Sequence, residues 1–244
     1  MPRYYLLSVF LLFPCLCFGM HIMEGFLPMG WSIAWWVIVI PFLYYGTRNI
    51  NQMVKERPNI KMLLAMVGAF AFVLSALKLP SVTGSCSHPT GVGMGTILFG
   101  ASTMSVLGFI VLIFQALLLA HGGITTLGAN TFSMGVCGPI FTWLVYRLSL
   151  KWGLTQRMAI FLAVTLGDLV TYLVTSTQLA LAHPDAQSGF LGSMAKFSGI
   201  FAFTQLPLVI SEGLLTVFVL NVISQYAWEE LPLFAALRAK NNKN

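Results

Sequence analysis

The chain has 244 residues, of which 57% are hydrophobic and only 8% are charged, and its formal net charge is +6. Soluble domains carry about 25% charged residues, so the composition predicts a polytopic membrane protein with almost no sequence left for a soluble domain. The positive charge does not indicate nucleic-acid binding, because the basic residues fall in short loops, where they set membrane topology.

The start of the chain has the pattern of a secretory signal peptide. One charge precedes a long apolar run, and the small residues Cys17 and Gly19 stand at the positions that signal peptidase reads. Cleavage after Gly19 would divide the chain into a leader, 1–19, and a single transmembrane substrate-binding domain, 20–244. The alternative is an uncleaved signal anchor, since many membrane proteins keep their first helix.

Cleavage at this point would create a chelating amino terminus. Met20 would carry the free amine and His21 would be the second residue. The amine, the deprotonated amide of His21 and its Nδ1 atom would close two adjacent chelate rings around one ion. Three nitrogens in one plane leave a fourth position open, which suits Ni(II), Cu(II) or low-spin Co(II).

Apolar segments long enough to form membrane helices follow. They cover approximately 31–47, 62–79, 91–120, 124–146, 157–182 and 197–227. A spanning helix needs about 20 residues. The basic loops between these segments and at the C terminus are assigned to the cytoplasm by the positive-inside rule, so the mature N terminus lies outside and the C terminus inside.

This topology requires a break in the region 84–123. A single crossing there would place the next basic loop on the wrong side, so we expect two short helices or a re-entrant helix, interrupted between Gly100 and Gly108. The predicted fold is an all-α integral membrane protein, a bundle of about six to seven transmembrane helices.

Two histidines beyond His21 are candidates for metal chemistry. His88 lies in a Gly/Ser-rich loop that ends in a proline and can dip into the bundle from the outer face. Imidazole is the commonest metal ligand, and His88 shares a membrane face with His21, so it is the predicted fourth donor. His121 either orients a ligand by hydrogen bonding or satisfies carbonyls at a helix end.

Polar groups inside the apolar segments are the remaining candidates. Intramembrane carboxylates are costly and face the bundle interior, where they act either as contacts between helices or as a proton or cation path. The candidates for a supporting or pathway role are His121, Gln115, Asn130, Asp168 and Glu212.

The run Met-His-Ile-Met-Glu-Gly-Phe-Leu-Pro at 20–28 closely resembles the start of CbiM/NikM proteins. These are the substrate-capture (S) components of cobalt and nickel energy-coupling-factor (ECF) transporters. The resemblance covers nearly the whole mature chain and includes the motifs at 84–91, 115–130, 167–172 and 205–213. It implies a removable leader and a transported Co(II) or Ni(II) ion held by the Met20 amine, the His21 amide and imidazole, and His88.

The same resemblance implies a non-enzymatic subunit of an ATP-driven importer in the bacterial inner membrane, with no permanently bound cofactor. Its expected partners are a transmembrane coupling (T) subunit, cytoplasmic ATP-binding (A) subunits and, for the cobalt type that serves cobalamin synthesis, a small accessory membrane subunit. Small residues such as Ala65 and Ala69 are the expected docking face, although this spacing also serves packing within a bundle.

Three rival functions are compatible with part of the pattern. A self-powered divalent metal permease would use Asp168 and Glu212, and a copper-binding membrane protein would use at most one of the soft donors Met23 and Cys86. A membrane redox enzyme is disfavoured, because the chain lacks CxxCH, HExxH and Rossmann glycine motifs. The chain also lacks a phosphate loop, so uphill transport needs a partner or an ion gradient.

Overall fold

The computed structural model describes residues 18–19, 21–77, 79–80 and 85–226. Most of the predicted leader and Met20 lie outside this part of the chain. The helices are α1 Met29–Glu56, α2 Ile60–Ala76, α3 Val92–Phe99, α4 Ala101–Leu118, α5 Leu127–Asn130, α6 Gly138–Lys151, α7 Gln156–Ala182 and α8 Gly189–Tyr226. A π-helical stretch, Thr131–Cys137, joins α5 to α6 without interruption.

Four of the described helices are long and apolar enough to span a membrane. Among the described residues, α1, α4, α7 and the second half of α8 (Gln205–Ser224) are long and apolar enough to cross a bilayer, and α2 is a shorter apolar helix of 17 residues. The predicted all-helical, multi-pass membrane architecture is therefore confirmed. Its helices extend beyond the apolar runs, as in α1, which continues through Arg48 and Lys55.

The predicted interruption between Gly100 and Gly108 is present, and it lies at Gly100. Helix α3 ends at Phe99 and α4 begins at Ala101, while Gly100 has φ +86°, a conformation that side-chain-bearing residues rarely adopt. All eight residues of α3 are buried. An interrupted helix at membrane depth is tolerated when protein surrounds it, which makes α3 a buried half-helix.

A small sheet, which the sequence did not predict, aligns the two segments that carry His21 and His88. Its strands are β1 Phe18–Gly19, β2 Leu79–Pro80 and β3 Ser85–Ser87. β1 runs parallel to β3, with Gly19 opposite Cys86. His21 and His88 each follow this last pair by two residues in the sequence.

The segment after His21 is anchored in a core of its own. Ile22 and Leu27 are buried against Trp35, Ala129 and Leu179, apart from the larger core around α2, α3, α4 and α7. The irregular backbone at 21–28 is thus held by side chains from α1, α5 and α7.

A glycine allows α5 to approach α1 closely beneath this segment. A Cβ atom on Gly128 would lie 2.7 Å from the Trp36 amide nitrogen and 2.9 Å from the Trp36 Cα. These are backbone atoms of a helix and cannot rotate away, so any side chain at Gly128 must move the two helices apart.

We expect Gly128→Ala to destabilise the protein by about 1–3 kcal/mol, the usual cost of overpacking a core. The matched control is Gly68→Ala on α2, where an added Cβ meets no atom within 4 Å. Thermal unfolding in detergent should show a lower midpoint for Gly128→Ala only. Equal midpoints for the two variants would contradict the close approach of α1 and α5.

Candidate metal centre

Three histidines that are far apart in the sequence converge inside the bundle. His21, His88 and His121 are 2%, 0% and 3% exposed. One ligating nitrogen from each lies within 4.8 Å of those of the other two. The Nε2 atoms of His88 and His121 are 2.9 Å apart. A single ion could contact all three imidazoles.

The His88 imidazole is oriented with a nitrogen lone pair toward the cluster. Its Nδ1 atom lies 2.8 Å from the Pro89 carbonyl oxygen. A carbonyl only accepts hydrogen bonds, so the proton of the neutral ring is on Nδ1 and the lone pair is on Nε2. Metal-ligating histidines commonly use this arrangement, in which the second nitrogen donates to a carbonyl and fixes the tautomer.

The backbone on either side of the His88 ring is held by α7 and α8. The Tyr172 hydroxyl donates to the His88 carbonyl oxygen at 3.2 Å. The Glu212 carboxylate, 1% exposed, accepts from the Thr90 amide at 2.6 Å and the Gly91 amide at 2.9 Å. These two amides directly precede α3, and the helix dipole also favours negative charge at this end of the helix.

Buried polar side chains on α7 support this arrangement. Asp168 is buried and interacts with Glu212, Thr90 and Tyr172. Further along α7, the side-chain amide of Gln178 donates a hydrogen bond of 3.0 Å to the Ala129 carbonyl. Within the described chain, neither Asp168 nor Glu212 belongs to the group of atoms that could share an ion with the imidazoles.

Asn130 fixes the backbone beside His21. Its side-chain oxygen accepts from the Ile22 amide at 2.9 Å, and its side-chain nitrogen donates to the Ile22 carbonyl at 3.0 Å. The Thr126 hydroxyl donates to the same carbonyl at 2.6 Å. Asn130 thus pairs with both backbone polar groups of one residue, as a neighbouring β-strand would, and this fixes the backbone position next to His21.

Further contacts hold the rest of the N-terminal segment. The Glu24 carboxylate accepts from the Thr125 amide at 3.1 Å, and hydrogen bonding from the Thr125 side chain lowers the pKa of Glu24 below its usual value. His183, in a loop to which the sequence assigned no role, contacts the Phe26 carbonyl through Nε2 at 2.8 Å. The sequence offers no local signal for either pairing, because each joins residues about a hundred or more positions apart.

The turn after α4 positions His121. The amides of Leu119 and His121 both donate to the Gln115 carbonyl, at 3.0 and 3.1 Å, and Ala120 adopts φ +48°. The left-handed Ala120 ends the helix, and the hydrogen bond from the His121 amide to Gln115 turns the chain back toward His88. The sequence left two roles open for His121, orienting a ligand or satisfying carbonyls at a helix end. Its position beside His88 favours contact with a ligand or with the ion.

The other predicted residues have distinct surroundings. Gln115 is fully buried, and its side-chain amide has no hydrogen-bond partner among the described residues. Ala65 and Ala69 lie exposed on α2. Met20 lies outside the described residues, so its amine stays a predicted ligand.

Comparison with known proteins identifies the family of this chain. Residues 21–230 match the family model described as CbiM, cobalt uptake substrate-specific transmembrane region. The chain is 57% identical over 227 residues to the cobalt transport protein CbiM of Nostoc sp., covering 93% of this chain and 87% of that protein. It is 59% identical over 219 residues to the cobalt transport protein CbiM of Chlorobium limicola, covering 90% and 86%.

A solved structure shares the fold. The crystal structure of a truncated transition metal transporter superposes with a TM-score of 0.74 at 24% identity, covering 84% of this chain and 99% of that one. The family match spans most of the sequence, and the relatives align along nearly their whole length. The chain therefore belongs to the CbiM family of cobalt-uptake transmembrane proteins.

Proposed function

We propose that this protein is the substrate-capture subunit of an ATP-driven ECF-type importer for Co(II), with Ni(II) as the alternative ion. The observation that carries the proposal is the convergence of three buried imidazoles, His21, His88 and His121, inside a helical membrane bundle. Imidazole ligands suit late first-row transition metals. The names of the relatives favour cobalt among these.

The proposed ligand set combines the amino terminus with His88. Removal of the leader, 1–19, would give Met20 a free amine, which chelates the ion together with the His21 amide and imidazole. The Asn130 clamp on Ile22 supports this geometry, because it fixes the backbone immediately after the chelate. His88 contributes Nε2, the nitrogen that faces the cluster.

The proposed topology has seven crossings. The chain crosses at α1, at α2, through the interrupted segment that contains the buried helix α3, at α4, at the continuous helical run 127–151, at α7 and at α8. The mature N terminus then lies outside and the C terminus in the cytoplasm, in agreement with the basic loops. The metal centre would face the side from which the ion arrives.

Energy would come from partner subunits, namely a coupling subunit and ATPases, with a small accessory membrane subunit for cobalt. The proposed docking face is on α2, where Ala65 and Ala69 are exposed beside an apolar groove of about 430 Å³ that is also lined by Met66 and Val73. Small residues let a partner helix approach closely. The loaded bundle would tilt against the coupling subunit as ATP is hydrolysed.

The permease alternative is less well supported by the geometry. It requires Asp168 and Glu212 to be available to a moving ion. Both Glu212 oxygens accept backbone hydrogen bonds from Thr90 and Gly91, which favours a structural role.

The first experiment tests the amino-terminal chelate. We expect the mature protein to begin at Met20 and a cleavage-resistant Gly19→Leu variant to keep its leader, because signal peptidase requires a small residue at this position. Without the amine, the variant should bind Co(II) and Ni(II) at least about tenfold more weakly. Loss of a group that only orients a ligand already lowers metal affinity by about this factor. Intact-mass spectrometry and equilibrium binding measure both. Full affinity with the leader attached would disprove the chelate.

The second experiment tests whether Glu212 positions His88. Glu212→Gln replaces one accepting oxygen with an NH₂ group that cannot accept from Thr90 or Gly91. We expect metal affinity to fall by about 10–100-fold, as for other groups that orient a ligand. The control is Glu56→Gln on α1, an exposed carboxylate that accepts a hydrogen bond from the Gln52 side chain. Unchanged affinity in a folded Glu212→Gln protein would remove Glu212 from the metal centre.

The third experiment tests coupling. Ala65→Leu and Ala69→Leu should prevent co-purification of the coupling subunit while leaving metal affinity unchanged, because added bulk keeps two helices apart. Ala202→Leu, at an exposed position on α8 outside this groove, is the control. If the Leu variants bind metal poorly but keep the partner, α2 packs within the bundle at these positions. Accumulation of metal by the isolated protein under a proton gradient alone would favour the permease.

A further inference from the structure

We infer that His121 is an axial ligand of the bound ion and that it selects Co(II) over Ni(II). The inference rests on the proposed function, in which Met20, His21 and His88 supply four nitrogens in one plane. It assigns to His121 a direct contact with the ion, where sequence reasoning proposed only a supporting role.

The spacing of the imidazoles fits a shared ion. An ion bound to nitrogen at about 2.0–2.1 Å separates two ligands at right angles by about 2.9 Å and two opposite ligands by about 4.1 Å. The Nε2 atoms of His88 and His121 are 2.9 Å apart, and all three imidazole nitrogens lie within 4.8 Å of one another. His88 and His121 therefore have the separation of neighbouring ligands.

Binding of an ion to His88 must change its relation to His121. The proton on His88 Nδ1 is donated to the Pro89 carbonyl, so Nε2 carries the lone pair, and His121 Nε2–H donates a hydrogen bond to it. An ion that takes this lone pair displaces the hydrogen bond. His121 can then turn its own Nε2 lone pair to the ion by moving its proton to Nδ1, with no net change in charge.

The direction of approach follows from the other ligands. The amine, the amide nitrogen and the imidazole of one dipeptide unit occupy three corners of a plane, and His88 occupies the fourth. A further nitrogen can reach the ion only along the axis perpendicular to this plane. His121 is 3% exposed, and its backbone is held by the turn at Ala120 and by the hydrogen bond from its amide to the Gln115 carbonyl. Its imidazole is therefore positioned before the ion arrives.

The two ions respond differently to an axial nitrogen. Planar low-spin Ni(II) has a filled axial orbital and gains little from a fifth ligand, whereas low-spin Co(II) has one electron there and binds a fifth nitrogen readily. Four planar nitrogens alone favour Ni(II), which lies above Co(II) in the Irving–Williams order. An axial imidazole therefore offsets this order in the direction of cobalt.

The test uses the mature protein purified in detergent and loaded anaerobically with Co(II) or Ni(II). In electron paramagnetic resonance, one axial nitrogen splits each high-field cobalt line into a triplet, and labelling histidine with the heavy nitrogen isotope converts the triplet to a doublet. We expect this signal in the wild type and its loss in His121→Phe and His121→Ala. The control is His183→Ala, which removes an exposed histidine that contacts Phe26.

Binding measurements complete the test. We expect the Co(II) affinity of both His121 variants to fall at least about tenfold. Their Ni(II) affinity should change by less than about threefold, because planar Ni(II) gains little from an axial nitrogen. Retained Ni(II) binding also shows that the variants are folded. Tight cobalt binding without an axial nitrogen signal, or a signal that survives in both variants, would overturn the role of His121 but leave the proposed function intact. Absence of Co(II) and Ni(II) binding in the wild type would overturn both.

Discussion

The metal centre depends on how irregular backbone is stabilised inside a helical bundle. Buried amide and carbonyl groups without partners cost several kcal/mol each at membrane depth, yet His21 and His88 both lie on non-helical segments. Side chains from the helices supply the missing partners: Asn130 for both polar groups of Ile22, and Glu212 for the amides that follow His88. Because of these contacts, two extended segments can meet in the interior with their imidazoles together.

The same contacts provide the rigidity that the proposed metal site would require. Ligand directions must be held within roughly 10–20°, and both segments are attached to helices in addition to their contacts with other loops. Close packing contributes on the side of His21, where a Cβ on Gly122 would lie 3.1 Å from the Asn130 side-chain nitrogen and 3.5 Å from the His21 Cβ. The glycine at this position lets the loop after α4 lie directly against His21.

Parts of this arrangement follow from the sequence, and others do not. Apolar runs and the glycine at 100 predict the helices and their interruption, because they are local properties of the chain. The partnership of Glu212 with Thr90 spans 122 positions, and no local pattern encodes it. The turn that directs His121 is also hidden, since the left-handed residue is Ala120, whereas the pattern of helix ends points to Gly122. His121 could therefore be identified as polar and buried, but not as a neighbour of His88.

The pairing of His121 with His88 bears on how the proposed ion would be released. The hydrogen bond between the two imidazoles occupies the Nε2 lone pair that the ion would use. An arriving ion must replace that bond, so part of its binding energy offsets the interaction that the two side chains make with each other. The same nitrogens held apart would bind the ion more tightly, because no competing hydrogen bond would form between them. For the transport cycle that we propose, this competing hydrogen bond would favour release of the ion without loosening the ligand geometry.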